Sequence, residues 1–201
     1  MKSGRVLLGA LAVLAGCSAG PSYIVKDFIP PRTLAVLPFT NETNDIEAPG
    51  LVRKVLMEVL PQHGYAPLDM DKVDSVLKER FGITDGGQLG SASPENLGKA
   101  LAADGLLYGN VLSFQDLPLG YVRKKTVKIY LKILDPKTGT LLWADQKGWT
   151  NPEFHINPDE ARRAVATQVF DRQKRRINGT FLREESIVVL EMALKSLPYG
   201  K

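Results

Sequence analysis

The sequence GLLYGNVLSF, residues 105–114, is nearly continuous in apolar residues. Such a run is typical of a central strand that is covered on both faces of a sheet. The next segment behaves differently, because its apolar residues alternate with polar ones: Val127, Ile129, Leu131 and Ile133. That alternation predicts a strand with one buried and one exposed face. The sequence DPKTG, residues 135–139, supplies turn residues, so residues 141–143 should return as the antiparallel partner strand.

Working towards the amino terminus, residues 33–39 (TLAVLPF) predict a short buried strand and residues 65–68 predict a second one. Between them, apolar residues at three- and four-residue steps predict a helix that starts at Ala48 and stops at Pro61. A strand, a helix and a strand in succession favour a parallel crossover. Further helices are predicted after Asp69, from Ser93, from Pro158 and from Ser186 through Leu197.

The predicted fold class is therefore mixed α/β. One sheet of about five strands would combine a parallel pair with an antiparallel meander, and helices would pack on it. No internal repeat interrupts this order of elements in the sequence.

The amino terminus has the pattern of an export signal. Lys2 and Arg5 precede an apolar stretch at residues 6–15, and small residues stand directly before Cys17, the only cysteine of the chain. The stretch is too short to span a bilayer, which takes about 20 residues. We therefore expect residues 1–16 to be a signal peptide.

The residues Leu14, Ala15, Gly16 and Cys17 resemble a bacterial lipobox, at which a signal peptidase cuts and the cysteine becomes the acylated first residue. The thiolate of Cys17 is the nucleophile that takes the lipid. We expect covalent diacylglycerol and an N-acyl lipid on Cys17, and no other cofactor. In the lipoproteins that this resembles, Ser18 rather than Asp after the cysteine implies sorting to the outer membrane. Residues 17–31 then form a lipidated tether, and residues 32–201 a single periplasmic domain with C-terminal helices.

The charge balance argues against nucleic acid as a partner. Loss of residues 1–16 removes two positive charges and leaves 24 basic and 22 acidic residues. Two basic features remain, residues 172–176 and a strand face with Lys124, Lys128 and Lys132. Either feature could contact anionic headgroups, although a solvated face is the favoured interpretation.

Catalytic and metal-binding patterns are missing from the sequence. His63 and His155 have no second histidine or cysteine at metal-ligand spacing, and no serine lies in a G-x-S-x-G motif. Asp69, Asp71 and Asp74 lack the ligand order of a calcium loop and are interpreted as charges at a helix amino terminus. We therefore expect neither an enzyme nor a metal site.

The glycine-rich sequence TDGGQLGSA, residues 84–92, follows a predicted helix rather than a strand. A dinucleotide-binding loop needs the opposite order, so we predict a flexible loop instead.

The last predicted helix is apolar on more than one side. It could lie deep in the core of its own chain, or it could contact a subunit or another partner. The residues predicted for such an interaction are Ile187, Leu190, Leu194 and Leu197.

Three stretches together resemble a known group of proteins: residues 32–43 (RTLAVLPFTNET), 97–114 (LGKALAADGLLYGNVLSF) and 131–143 (LKILDPKTGTLLW). Their order is similar to that in a family of small Gram-negative lipoproteins of uncharacterised function, related to the curli-export lipoprotein CsgG and to the amino-terminal domain of TolB. The resemblance implies a mixed α/β domain on the periplasmic face of the outer membrane that often forms homo-oligomers. It also implies work in envelope transport or assembly, and it carries over no catalytic residues.

The sequence departs from the pore-forming relative, because no connection contains a second hairpin long enough to cross a membrane. Two functions are therefore weighed. The first is a lipid-anchored, non-enzymatic adaptor in an envelope transport or secretion assembly. The alternative is a periplasmic receptor for a small ligand or glycan, which would use residues 41–45 (NETND) and 84–92 and would have a defined pocket.

Overall fold

The computed structural model describes residues 20–119, 122–154, 173–176, 178 and 180–200. They contain one six-stranded mixed sheet in the order β1-β6-β5-β4-β2, with β3 paired to β4. Strands β2 and β3 run parallel to β4, and the remaining pairs are antiparallel. The strands are β1 (Tyr23–Ile24), β2 (Leu34–Val36), β3 (Thr40–Asn41), β4 (Gly105–Leu119), β5 (Val122–Leu134) and β6 (Leu141–Phe154). The predicted mixed sheet and its antiparallel meander are confirmed.

Four helices that lie wholly within the described residues pack on this sheet: α1 (Ala48–Val59), α2 (Met70–Phe81), α3 (Pro94–Leu101) and α4 (Arg183–Leu194). The last one begins and ends three residues earlier than the sequence pattern indicates. Of the helix predicted from Pro158, residues 173–176 are described and are helical, and residues 158–172 lie outside the described residues. Among the helices that are described, none combines the length and the apolar character needed to cross a bilayer.

The helices cover the two faces of the sheet unequally. On one face, α1 and α4 pack over β4, β5 and β6 and bury a large apolar core that includes Trp143. On the other face, α2 and α3 pack near β2 and the first half of β4, around a smaller core that includes Leu106. Lys128 and Gln146, which lie on this second face further across the sheet, are exposed. We call this second face the open face.

The strand predicted at residues 65–68 is reduced to a single bridge between Leu34 and Pro67. The Leu34 amide donates to the Ala66 carbonyl at 3.3 Å, and the Leu68 amide donates to the Leu34 carbonyl at 2.9 Å. The next carbonyl of β2 on this side, that of Val36, accepts instead from the Arg53 side chain, at 3.2 Å from Nε and 2.7 Å from Nη2.

Strands β4, β5 and β6 are longer than predicted, because their pairing continues through polar residues. The added part comprises the end of β4, the start of β5 and the end of β6, and we call it the outer half of these strands. Asp116 on β4 accepts hydrogen bonds from Arg123 Nε at 2.7 Å and Arg123 Nη2 at 2.6 Å. Lys125 pairs with Glu153 and lies 3.6 Å from Glu185 on α4. Asp116, Lys125 and Glu185 are buried, so this outer half is part of the folded domain.

The glycine-rich segment is ordered, and the prediction of a flexible loop is wrong. Residues Gly86–Ser91 form a 3₁₀ turn that begins with a capping box between Asp85 and Gln88. Asp85 Oδ1 accepts a hydrogen bond from the Gly87 amide at 2.7 Å, and Gln88 Oε1 accepts one from the Thr84 amide at 2.7 Å. These bonds satisfy backbone donors that a flexible loop would leave to water.

Tyr65 connects the end of α1 to the carboxyl-terminal segment, and its burial predicts how the stability of the protein depends on pH. Its hydroxyl donates to the Pro198 carbonyl at 2.6 Å, and burial raises the pKa of Tyr65 well above its usual value. The folded state therefore favours the neutral phenol. Its contribution to stability is complete below pH about 10, the unfolded pKa, and is lost as the pH rises above that value.

We expect Tyr65→Phe to reduce the alkaline decrease in the free energy of unfolding and to cost about 1 kcal/mol at neutral pH through the lost hydrogen bond. Urea unfolding at a series of alkaline pH values measures both effects. Tyr199→Phe is the matched control, because Tyr199 is exposed. An alkaline decrease identical in Tyr65→Phe and the unmodified protein would contradict this assignment.

Candidate functional site

A cleft of about 690 Å³ lies between the open face of the sheet and residues 86–94. Its floor holds Tyr108 and Asn110 from β4 and Tyr130 and Lys132 from β5. The sheet register places Tyr108 opposite Lys132 and Asn110 opposite Tyr130. Because residues two apart on a strand share a face, these four side chains converge on one concave surface.

The floor of the cleft combines aromatic, amide and cationic groups. Lys132 Nζ lies 5.1 Å from the centre of the Tyr108 ring, within the range of a cation–π interaction. Burial raises the pKa of Tyr108, so its phenol stays neutral beside the ammonium group. Asn110 Nδ2 donates to Glu42 Oε1 at 2.6 Å, whereas Asn110 Oδ1 is buried without a hydrogen-bond partner in the described part of the chain. Such a floor suits a polar ligand with an apolar face, a saccharide for example.

The wall of the cleft is held in place by close backbone packing. Gly86 contacts the backbone of Phe39 and Thr40 so closely that a Cβ on Gly86 would lie 2.4 Å from the Phe39 carbonyl oxygen. Leu89, in the same turn, is buried in the smaller core. The cleft is therefore formed before any ligand or partner arrives.

The NETND loop, residues 41–45, forms a second recess of about 440 Å³ with β4. Asn41 Oδ1 accepts hydrogen bonds from the amide and the hydroxyl of Thr43, which fixes the loop. Arg176 pairs with Asp45 and Glu47, and its guanidinium lies 4.6 Å from the centre of the Phe181 ring. The hydrogen bond to Asp45 raises the pKa of Arg176. Arg176, which belongs to the predicted basic segment 172–176, therefore stabilises the NETND loop through these ion pairs.

The two loops named for the receptor alternative lie side by side. A hollow of about 490 Å³ between them is lined by Asn41 and Ile46 from one loop and by residues 84–87 from the other. The structure therefore brings residues 41–45 and 84–92 together, as that alternative requires, and adds Tyr108, Tyr130 and Lys132. The sequence pattern indicated Lys132 on an exposed face of β5, but it held no signal that a turn would lie opposite that face.

The amino-terminal segment is attached to the sheet. Strand β1, which lies inside the expected tether, pairs with β6. Ser22 Oγ donates to Asp145 Oδ1 at 3.2 Å, and Lys147 Nζ donates to the Gly20 carbonyl at 3.2 Å. Part of the segment predicted as tether is therefore docked on the domain.

The predicted lipobox residues Leu14, Ala15, Gly16 and Cys17 lie outside the described residues, as does His155. His63 is described, and its Nε2 lies 3.0 Å from Glu191 Oε2 on α4.

The aspartates after residue 68 have structural partners. Asp69 accepts from the Lys72 amide at 2.9 Å and caps α2, as predicted, while Asp74 pairs with Arg53 at 2.8 Å. Within the described ranges, no group of three or more His, Cys, Asp or Glu side chains could hold a metal ion.

The residues of the last helix face the interior of their own chain. Leu190 and Leu194 have no exposed surface, Leu197 is 5% exposed, and Ile187 is partly buried against the larger core. Helix α4 contacts α1 on one side and β5 and β6 on the other. This double contact explains why its sequence is apolar on more than one side, and it matches the first of the two alternatives stated for this helix.

Comparisons with known proteins agree with this architecture. The family model of GNA1162-like lipoproteins matches residues 26–167. The crystal structure of lipoprotein GNA1162 from Neisseria meningitidis superposes with a TM-score of 0.57 at 20% identity, covering 70% of this chain and 97% of that one. The PelC dodecamer from Paraburkholderia phytofirmans gives a TM-score of 0.50 at 12% identity, covering 85% and 89%. No curated protein matches the sequence.

Proposed function

The chain belongs to the GNA1162-like lipoprotein family, and on that premise we propose that it is an outer-membrane lipoprotein facing the periplasm, a non-enzymatic adaptor in an envelope transport or secretion assembly. In this proposal residues 1–16 are the signal peptide, Cys17 carries the lipid, residues 17–31 link it to the fold, and residues 32–201 form one domain.

The observation that carries this proposal is the docking of residues 20–25 on β6. Besides the contacts of Ser22 and Gly20, the Val25 amide donates to the Leu142 carbonyl at 2.9 Å. Gly20 is the third residue after Cys17, and three steps of extended chain span about 10 Å. A lipid on Cys17 would therefore hold the sheet close to the membrane surface, where a partner in the envelope could bind it.

The preformed recesses support binding rather than catalysis. The cleft floor presents Tyr130 and Lys132, and aromatic residues beside a cation are typical of recognition surfaces. His63, the described histidine, is already paired with Glu191. We assign the cleft and the two adjacent loops as the surface that contacts the partner.

We also propose that the protein forms homo-oligomers. PelC, which has a similar fold, crystallises as a dodecamer. Residues 32–43, 97–114 and 131–143 resemble a family of small Gram-negative lipoproteins related to CsgG and to the TolB amino-terminal domain, and this resemblance supports the proposed location at the outer membrane.

Cys17→Ala tests the anchor. We expect the variant to fold normally and to move from the membrane fraction to the soluble periplasmic fraction, because it lacks the acylated thiol. Fractionation of cells followed by thermal unfolding of the released protein measures both properties. Retention of the folded variant in the membrane fraction would refute lipid anchoring at Cys17.

A photoreactive residue in place of Tyr130 tests the adaptor role in the same cells. We expect crosslinks to envelope transport proteins from position 130, and none from the matched exposed position Lys78 on α2. Equal crosslinking from both positions would contradict the assignment of the cleft.

The receptor alternative is favoured by one specific observation: Asn110 Oδ1 on the cleft floor is buried and has no hydrogen-bond partner among the described residues. If position 130 captures no protein, native mass spectrometry of the purified protein becomes decisive. A small bound molecule that is lost in Tyr130→Ala would establish a receptor, and its absence would exclude one.

A further inference from the structure

The outer half of the open face carries an unusual combination of side chains. Its members alternate along the three long strands: Ser113, Gln115, Leu117, Leu119, Val122, Lys124, Thr126, Lys128, Gly148, Thr150, Pro152 and Phe154. We call this set the outer face. Leu117 is 42% exposed, Leu119 is 60% exposed and Phe154 is 71% exposed. Large apolar side chains grouped at one exposed site mark a surface that contacts something other than water.

The charges of these strands are separated between the two faces. Asp116 and Glu153, with Arg123 and Lys125 as their partners, all lie on the helix-covered side. The outer face contains Lys124 and Lys128, both exposed, and none of its members is acidic. The surface is therefore both apolar and positively charged, which suits contact with anionic headgroups above an apolar layer.

The direction of the amino-terminal segment places the lipid beside this surface. Tyr23 pairs with Ala144 and Ile24 with Trp143, so the chain runs towards its amino terminus alongside β6 in the direction of Phe154. Gly20 is already level with Lys147. Phe154 is the seventh residue after Lys147, about 23 Å along the strand, and Cys17 can reach about 10 Å beyond Gly20.

We propose that the outer face lies on an anionic lipid surface, with Leu119 and Phe154 in the headgroup region and Lys124 and Lys128 over lipid phosphates. The inference rests on the proposed acylation of Cys17 for its geometry. The several acyl chains expected on Cys17 already give a stable anchor, whereas a basic surface alone binds membranes reversibly, so the outer face would fix how the anchored domain is oriented. The outer face is then a second membrane contact, made by the protein itself.

Thiol labelling tests the contact in the full, lipidated protein. Acylation consumes the only native thiol, so a cysteine introduced by Leu119→Cys is the single free one. An environment-sensitive fluorophore on it should be quenched by nitroxide-labelled lipids in phosphatidylethanolamine vesicles that contain a quarter phosphatidylglycerol. The same fluorophore on Lys78→Cys should not be quenched, because α2 packs near β2, away from the outer face.

A second measurement uses the unlipidated Cys17→Ala protein. The double variant Lys124→Gln and Lys128→Gln should weaken its binding to the same vesicles about thirtyfold, since each basic residue near such a surface contributes about fivefold. Added salt should weaken the binding of the Cys17→Ala parent further than that of this double variant. The matched control is Lys72→Gln with Lys78→Gln, which removes the same charge from exposed positions of α2.

Each outcome decides the proposal separately from the anchor. Equal quenching at positions 119 and 78, in protein that floats with the vesicles, would overturn the membrane contact and leave the anchor intact. Shielding of position 119 without vesicles would show that a second copy covers the outer face, which would also overturn it. If the lipidated protein fails to float, the anchor proposal fails, and the vesicle binding of the unlipidated variants still decides the contact.

Discussion

Gly86→Ala is expected to lower the free energy of unfolding by about 3 kcal/mol, at the upper end of the range for overpacked sites. The new Cβ would lie 2.4 Å from the carbonyl carbon and oxygen of Phe39 and 2.6 Å from the Thr40 amide nitrogen. These are backbone atoms next to β3, so no side-chain rotation can relieve the overlap. Either the 3₁₀ turn or β3 must move away, and both border the cleft.

Gly90→Ala is the matched control in the same turn. A Cβ on Gly90 would meet no atom within 4 Å, so we expect its stability to change by less than about 0.5 kcal/mol. Urea unfolding of the two variants and the unmodified protein makes the comparison. A flexible loop would tolerate both substitutions equally, so equal stabilities would contradict the ordered turn. Weaker crosslinking from position 130 in Gly86→Ala would connect the turn to the cleft.

The ordered turn shows what the sequence could and could not reveal. Asp85 followed three residues later by Gln88 is a capping-box pattern. The pattern lies among several glycines, and a composition rich in glycine favours the prediction of a flexible loop. The contact of Gly86 with Phe39 joins residues that are distant in the chain. Periodicity within one segment carries no information about such a pairing.

The long strands show the same distinction. Alternation in residues 127–133 and the turn at 135–139 were sufficient to predict the inner half of the meander, because apolar burial there follows a period of two. In the outer half, the buried Asp116 forms an ion pair with the partly buried Arg123, so a charged residue there does not indicate an exposed position. Pro118 would be expected to end a strand, yet in the structure it lies within β4 and pairs with Arg123. The sequence therefore indicated the basic residues Lys124 and Lys128 of the outer face, whereas the exposed apolar residues beside them became visible only in the structure.

The docking of the amino terminus depends on a residue that the sequence does not single out. Asp145 follows the apolar strand residues 141–143, and an aspartate there would be expected to face water. Its side chain is instead 1% exposed and lies at the centre of a polar network. The network joins β6, the segment before β1 and the end of α4.

Asp145→Asn is expected to lower the free energy of unfolding by about 3 kcal/mol, the lower end of the cost of breaking a buried ion pair. Lys147 Nζ lies 2.9 Å from Asp145 Oδ2 and would keep its charge in a site that is 16% exposed. The Ser196 hydroxyl donates to the same oxygen at 2.7 Å and accepts from Trp143 Nε1 at 3.3 Å. An asparagine amide cannot accept from all these donors at once.

The substitution should also release the amino-terminal segment before the domain unfolds. Asparagine has one acceptor oxygen, for which Ser22 would compete with Ser196 and Lys147. We therefore expect faster hydrogen exchange than in the unmodified protein at the Val25 amide, which donates to the Leu142 carbonyl. Urea unfolding and hydrogen exchange measure the two effects. Glu95→Gln, which breaks the exposed pair with Lys99, should change neither. If Asp145→Asn were as stable as Glu95→Gln, the network would not hold the segment, and the short link from Cys17 to the sheet would no longer fix how the domain faces the membrane.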